Sequence, residues 1–169
     1  SHKSFLETAP NDVEGLMQLN MATPSLLMHG LIPRMKARRK GRILNVASMG
    51  AFHPAPGLAQ YGAAKAYLLM LTEALNEELR GSGISLTVLC PGITRTDLVA
   101  ELPLEELPEM LVQSPEYVAQ AGIEALFAQE VVCVPGRLNQ AALAAAKLPP
   151  RPVLRALGGL FQRWTQQGT

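Results

Sequence analysis

The chain has 169 residues, enough for one domain with a buried core, and 15 Lys and Arg set against 14 Asp and Glu leave a formal charge of +1. At 48% hydrophobic and 17% charged the composition is globular, which excludes a disordered chain, and the balanced charge offers nothing to nucleic acid. Two cysteines, Cys90 and Cys133, exclude a disulfide scaffold, no His or Cys pattern suits a metal, and no apolar run is long enough to span a membrane, so a cytoplasmic protein is expected.

Thr8, followed by Pro10, Asp12 and Glu14, reads as a helix start. An apolar face of Leu16, Leu19, Leu26, Leu27, Leu31 and Met35 predicts a helix, or a kinked pair interrupted near Asn20 and Pro24, to about Arg38. The basic run Lys36 to Arg42 ends it as a solvated last turn. Ile43 to Ala47 reads as a strand buried on both faces, and Ile84 to Cys90 and Val131 to Val134 as two more strands. Between them lie helices from about Gln60 to Arg80, with Leu68, Leu71, Leu75 and Leu79 on one face and Gly81 as its stop, and from Pro115 to Gln129. Helix and strand in alternation predict an α/β fold, a doubly wound parallel sheet of Rossmann-like form, whose ligands bind beyond the carboxyl ends of the strands.

Three groups occupy those ends. Ser48 follows the first strand, Tyr61 and Lys65 share a face at the start of the next helix, and Cys90-Pro-Gly-Ile-Thr-Arg-Thr96 follows the second strand. An isolated Tyr-x-x-x-Lys is an ordinary surface pair; in this order, after these strands, it reads as chemistry. A phenol titrates near ~10 and is a poor acid at neutral pH. An ammonium ~4 Å away contributes roughly 4 kcal/mol at an effective dielectric of about 20, which makes a phenol a usable proton donor to an alkoxide. Gly62, Ala63, Ala64 and Ala66 are read as keeping the helix surface low for a flat ligand.

These motifs resemble the short-chain dehydrogenase/reductase family, in its C-terminal half. The resemblance rests on Gly41-Arg-Ile-Leu-Asn-Val-Ala-Ser48, the thirteen-residue step to Tyr61-Gly-Ala-Ala-Lys65, Glu77-Glu-Leu79 and Pro91-Gly-Ile-Thr-Arg-Thr96, and runs from about residue 5 to 137. It implies an NAD(P)-dependent oxidoreductase, NADP favoured, that interconverts a carbonyl and an alcohol. By the same resemblance Ser48 would hydrogen-bond the substrate oxygen, Tyr61 would be the acid/base, and Lys65 would ease loss of its proton and hold the nicotinamide ribose. Asn20, in Leu-Asn-Met-Ala, would hold a water in the proton relay. Pro91, Gly92, Ile93 and Thr96 would contact the nicotinamide carboxamide and the diphosphate. Relatives also pair through the helices at 13 to 38 and 60 to 80, so a homo-oligomer is expected.

The sequence departs from the family in lacking the glycine turn Gly-x-x-x-Gly-x-Gly, the residue that selects NAD or NADP, and the Asn-Asn-Ala-Gly strand end. The expectation is therefore a fragment of a longer enzyme, in which the strand at 43 to 47 lacks a parallel neighbour. Leu98, Leu102, Leu104, Leu107 and Met110 fall where relatives carry a substrate lid and would favour a hydrophobic substrate; a packed connecting helix is the alternative. Residues 1–137 are read as the domain and 138–169 as a helical tail. Val-Pro-Gly-Arg-Leu-Asn-Gln, an Ala-rich helix and this tail resemble a bacterial subgroup related to ketoacyl and hydroxysteroid reductases. Residues 147–169 form a basic amphipathic pattern that suits a membrane surface, its own domain or a second subunit. Two rival functions stand beside the dehydrogenase: a serine hydrolase using Ser48, His53 and Asp97, which leaves Tyr61 and Lys65 without a role, and a non-catalytic binding or scaffold protein of the same fold.

Overall fold

The structure, a computed structural model, describes residues 5–96, 107–108 and 111–146. Asp97, Leu98, Leu102, Leu104, Met110 and the tail from 147 to 169 lie outside the described residues. Among those described, no helix is long and apolar enough to cross a membrane.

A kinked helical run opens the chain. Helix α1 spans Pro10–Met17, with its proline at the first turn where no intrahelical donor is needed. Helix α2 spans Thr23–Ala37, and between them Gln18–Ala22 form a π turn in which Thr23 N–H bonds to Gln18 O. Pro24 explains the wider turn. In an unbroken α-helix its N–H would pair with the carbonyl of Asn20; proline has none and its ring crowds that carbonyl.

Strand β1 (Gly41–Val46), helix α3 (Ala59–Glu78) and strand β2 (Ile84–Leu89) form one unit of the sheet, and helix α4 (Pro115–Ala128) leads to the short strand β5 (Val132–Cys133). The order is β1-β2-β5, all parallel, in register from Gly41 opposite Ile84 to Val46 opposite Leu89. Two further strands, β3 (Ile93–Thr94) and β4 (Val112–Gln113), make a separate parallel pair, and helix α5 spans Arg137–Ala146. The doubly wound α/β sheet is as the alternation predicts. The β3–β4 pair is an addition, since two-residue strands carry no period to detect.

The sheet sorts its residues by parity. Ile84 and Leu86 pack with Met28, Leu68 and Leu79 under α2 and α3, while Leu89 packs with Val118, Ala125 and Cys133 under α4. At the carboxyl end a third cluster of Ala47, Leu69, Val88, Cys90 and Val134 is covered by Met49, Ala51, Phe52 and Leu143 of α5. Leu86 has no exposed surface, and burying such a side chain contributes about 1.5–3 kcal/mol. Asn45, buried within β1, donates to Thr72 Oγ1 at 2.8 Å, and Thr72 donates on to Leu68 O at 2.6 Å, so the polar atoms under α3 have partners.

Three expectations are corrected. β1 is not buried on both faces, since α4 reaches Leu44 but not its end and Val46 is 50% exposed; its place at the edge of the described sheet is as the missing parallel neighbour predicts. Met35 packs on the core as expected, but together with Met28 and Ile32, one position away from the expected leucines, and Leu19, Leu26, Leu27 and Leu31 are exposed. Gly62 and Ala64 are buried, not a ligand platform: a Cβ on Gly62 would lie 3.1 Å from Gly50 O, so smallness there lets the loop after β1 pack on α3.

Candidate active site

Beyond β1, Ala47 N–H still bonds to Leu89 O at 2.7 Å, and Met49 N–H bonds to Pro91 O at 2.8 Å, so the segments leaving β1 and β2 are tied together. Ser48 is extended and caps a 3-10 turn at Met49–Ala51, its Oγ accepting from Gly50 N–H at 3.1 Å. The cap fixes the hydroxyl's position without using its proton. The chain then turns back, and α3 presents Tyr61 and Lys65 on successive turns of one face. A Cβ on Gly50 would sit 3.5 Å from Ser48 Oγ and 4.0 Å from Tyr61 Cε1, so the serine and the tyrosine both flank that glycine.

Lys65 Nζ lies 5.6 Å from the centre of the Tyr61 ring and donates to Val46 O at 2.9 Å. The ammonium thus faces the phenol ring while its proton satisfies a carbonyl on the edge strand. Partial burial pushes Lys65 below its ordinary 10.5, and nearby Cys90 acts the other way. Burial, aided by Cys133 and Glu73 and opposed by the Ser48 backbone and Lys65, pushes the Cys90 thiol up from 9.0 to about 12. That thiol is neutral at pH 7, so burial is the cause that governs Lys65 there.

Ser48, Tyr61 and Lys65 are therefore brought together. Asn20 sits in the π turn, which packs against α3, but its side-chain amide donates to Leu16 O at 3.1 Å within its own helix. Pro91, Gly92 and Ile93 run from the end of β2 into β3; Thr94 Oγ1 donates to Gly92 O at 3.2 Å, and Thr96, exposed, bonds to Thr94 O at 3.4 Å. Of the hydrolase set, Asp97 lies outside the described residues; among those described, His53 Nδ1 is buried without a partner, and Ser48 Oγ accepts from Gly50 N–H. Sequence reasoning missed the Val46 carbonyl as the seat of Lys65 and the Asn45–Thr72 pair beneath it. A lone Asn inside Ile-Leu-Asn-Val-Ala is a usable signal, because a buried amide requires a partner.

A parallel sheet with a serine after one strand, a tyrosine and lysine on the next helix and Pro-Gly after the second strand defines an open α/β domain with its chemistry at the strand ends. The family model for short chain dehydrogenase matches residues 1–107, and the chain belongs to that family. It is 28% identical over 124 residues to the ketoacyl reductase HetN of Nostoc sp., covering 73% of this chain and 43% of that protein. It is 30% identical over 122 residues to the inactive hydroxysteroid dehydrogenase-like protein 1 of Homo sapiens, covering 72% and 37%. A structure reported for 7beta-hydroxysteroid dehydrogenase stereoselectivity superposes with a TM-score of 0.85 at 26% identity, covering 94% of this chain and 63% of that one. A short-chain dehydrogenase from Sphingobium yanoikuyae in complex with NADPH superposes with a TM-score of 0.73 at 30% identity, covering 86% and 58%. The chain thus spans less than half the length of these curated relatives.

The residues present fit one end of a nicotinamide dinucleotide. Lys65 offers a cation beside Tyr61, and Pro91 to Thr94 offer backbone polar groups just beyond β2; the sequence contains no Gly-x-x-x-Gly-x-Gly turn for the diphosphate.

Proposed function

We propose that the native protein is a nicotinamide-dependent oxidoreductase that interconverts a carbonyl and an alcohol. The reading rests on one observation above others: Ser48 and Tyr61 flank Gly50 while the Lys65 ammonium lies over the Tyr61 ring. In this reading the cofactor, when bound, supplies or takes up the hydride. Ser48, its oxygen already accepting from Gly50, donates its hydroxyl proton to the substrate oxygen and orients it. Tyr61 passes a proton to the developing alkoxide, or takes it back in the reverse direction. Lys65 places positive charge beside that phenol, Asn20 supports water for the proton's return, and Pro91, Gly92, Ile93 and Thr96 hold the nicotinamide end. The leucine-rich sequence between 98 and 110 favours an apolar substrate.

The test is titration of the native protein with NADPH and NADH by fluorescence, followed by assay against hydrophobic ketones. We expect binding of both, NADPH more tightly, and ketone reduction. Absence of any nucleotide binding would favour the scaffold reading, which similarity to a relative described as inactive also supports.

We further propose that two copies pair through the α1–α2 run and α3, where Leu19 is 70%, Leu26 67% and Met70 70% exposed. Light scattering should report a dimer or tetramer, reduced to monomer by Leu26→Glu with Leu27→Glu; a monomeric wild type would contradict it. A cytoplasmic location is part of the same reading, and recovery of the protein with membranes on cell fractionation would instead favour contact through residues 147–169.

A further inference from the structure

The carbonyl at the end of β5 has an unusual load. Pro135 O accepts two side-chain amides, from Gln113 Nε2 at 2.9 Å and from Asn139 Nδ2 at 2.8 Å. A carbonyl only accepts, so both amides must present nitrogen, and the orientation of each is forced. The two donors come from different places. Gln113 lies on β4, whose partner is β3, and its own backbone O accepts from Arg95 N–H at 3.0 Å. Asn139 lies in the first turn of α5.

Both side chains also close on glycines. A Cβ on Gly92 would lie 2.5 Å from Asn139 Nδ2 and 2.8 Å from its Oδ1, and a Cβ on Gly136 would lie 2.5 Å from Gln113 Nε2. Asn139 therefore rests directly on the segment that runs from β2 into β3. Pro91 O is tied to Met49 N–H at 2.8 Å and Ile93–Thr94 to β4, but a two-residue ladder is marginal on its own, and Asn139 is the side chain that packs on Gly92 between those ties. Gln113 Oε1 is buried with no donor, so the amide is engaged through its nitrogen alone.

We propose that Asn139 and Gln113 are positioning residues: their shared bond to Pro135 O sets where Gly92 and Ile93 stand, and through them the seat of the nicotinamide. This rests on the dehydrogenase reading above. Neither side chain is assigned contact with the reacting atoms; they act through the backbone of residues 91–94. Within Val-Pro-Gly-Arg-Leu-Asn-Gln the proline carbonyl is then the acceptor, the glycine gives clearance, and the asparagine is the wedge.

The test uses Asn139→Asp and Gln113→Glu in the native protein. Each keeps the shape of the side chain and, as the carboxylate at neutral pH, loses the donor. The dissociation constant and KM for NADPH should rise about tenfold, with the ketone KM unchanged. A second measurement needs no cofactor. Gly92→Ala should lower the melting temperature in the wild-type background and lower it less in Asn139→Ala, where the space is vacant. Variants that melt earlier yet bind NADPH as the wild type does would overturn the proposal and leave a purely structural staple. Equal effects of Gly92→Ala in both backgrounds would also overturn it. Failure of the wild type to bind any nucleotide would remove the dehydrogenase reading and the positioning role with it, an outcome distinct from the other two because the wild type itself fails.

Discussion

Tyr61→Phe should lower kcat for ketone reduction by roughly 10²–10⁴-fold, the range for loss of a positioned general acid. The substitution removes one oxygen and keeps the ring, so the surface over which the Lys65 ammonium sits at 5.6 Å is retained, as is the bond from Lys65 to Val46 O. Packing against the Gly50 turn, where Tyr61 contributes a ring edge and not its hydroxyl, is retained too. NADPH binding should therefore stay within about threefold of wild type, which places the loss in the transition state and not in ground-state binding. Steady-state rates at saturating NADPH, with the dissociation constant measured separately, make the comparison. A Tyr61→Phe variant that turns over at a rate near wild type would mean that the phenol moves no proton, and the catalytic reading would fail with it.

The sequence discloses those parts of the molecule whose physics is local or periodic. Ile84 to Leu89 is one apolar-rich run because the strand is buried on both sides, and the structure buries every residue of it. Leu68, Leu71, Leu75 and Leu79 all reach the core under α3, as their spacing predicts. The kink at Asn20 is legible from Pro24, because a missing donor has a local consequence. The leucines of α2 are a different case. Leu27 and Leu31 have the same spacing as Met28, Ile32 and Met35, and only the position of the sheet decides which stripe is covered. Gly62 poses the same problem: a small residue accommodates either a ligand or a neighbouring backbone, and here the neighbour is Gly50 O.

The candidate site divides in the same way. Order along the chain suffices to associate Ser48, Tyr61 and Lys65, because strand ends in a parallel sheet gather on one edge. It does not reveal that Lys65 bonds to Val46 O, since a contact between residues nineteen apart depends on how helix and strand are placed in three dimensions. Nor does it reveal Gln113 and Asn139, which meet at Pro135 O from segments more than twenty residues apart. Long-range side-chain geometry leaves no period in a sequence.

Gly83→Ala should destabilise the fold far more than Gly81→Ala, two residues away in the same turn between α3 and β2. Both glycines have positive φ, +78° at Gly81 and +84° at Gly83, so each alanine meets left-handed strain of about 1–2 kcal/mol. They differ in their surroundings. Nothing lies within 4 Å of a Cβ on Gly81, whereas a Cβ on Gly83 would collide with the backbone carbonyl of Arg39. Arg39 cannot yield as the end of a flexible side chain would: it is backbone, itself at φ +51°, in the tight connection from α2 to β1. Gly83 O also accepts from Gly41 N–H at 3.3 Å, at the first rung between β1 and β2. Relief by moving either loop would strain the register that carries on to Val46 opposite Leu89, where the chain turns to Ser48. Overpacking against rigid backbone adds a further 1–3 kcal/mol or so, for a total of about 2–5 kcal/mol at Gly83. In a domain of this size that corresponds to a fall in Tm of roughly 5–15 °C, against a few degrees for Gly81→Ala. Thermal melts of the two variants, followed by circular dichroism, decide the matter. Equal losses would show that the approach of Arg39 costs nothing, and that the two connections at the amino end of the sheet are not in contact as described.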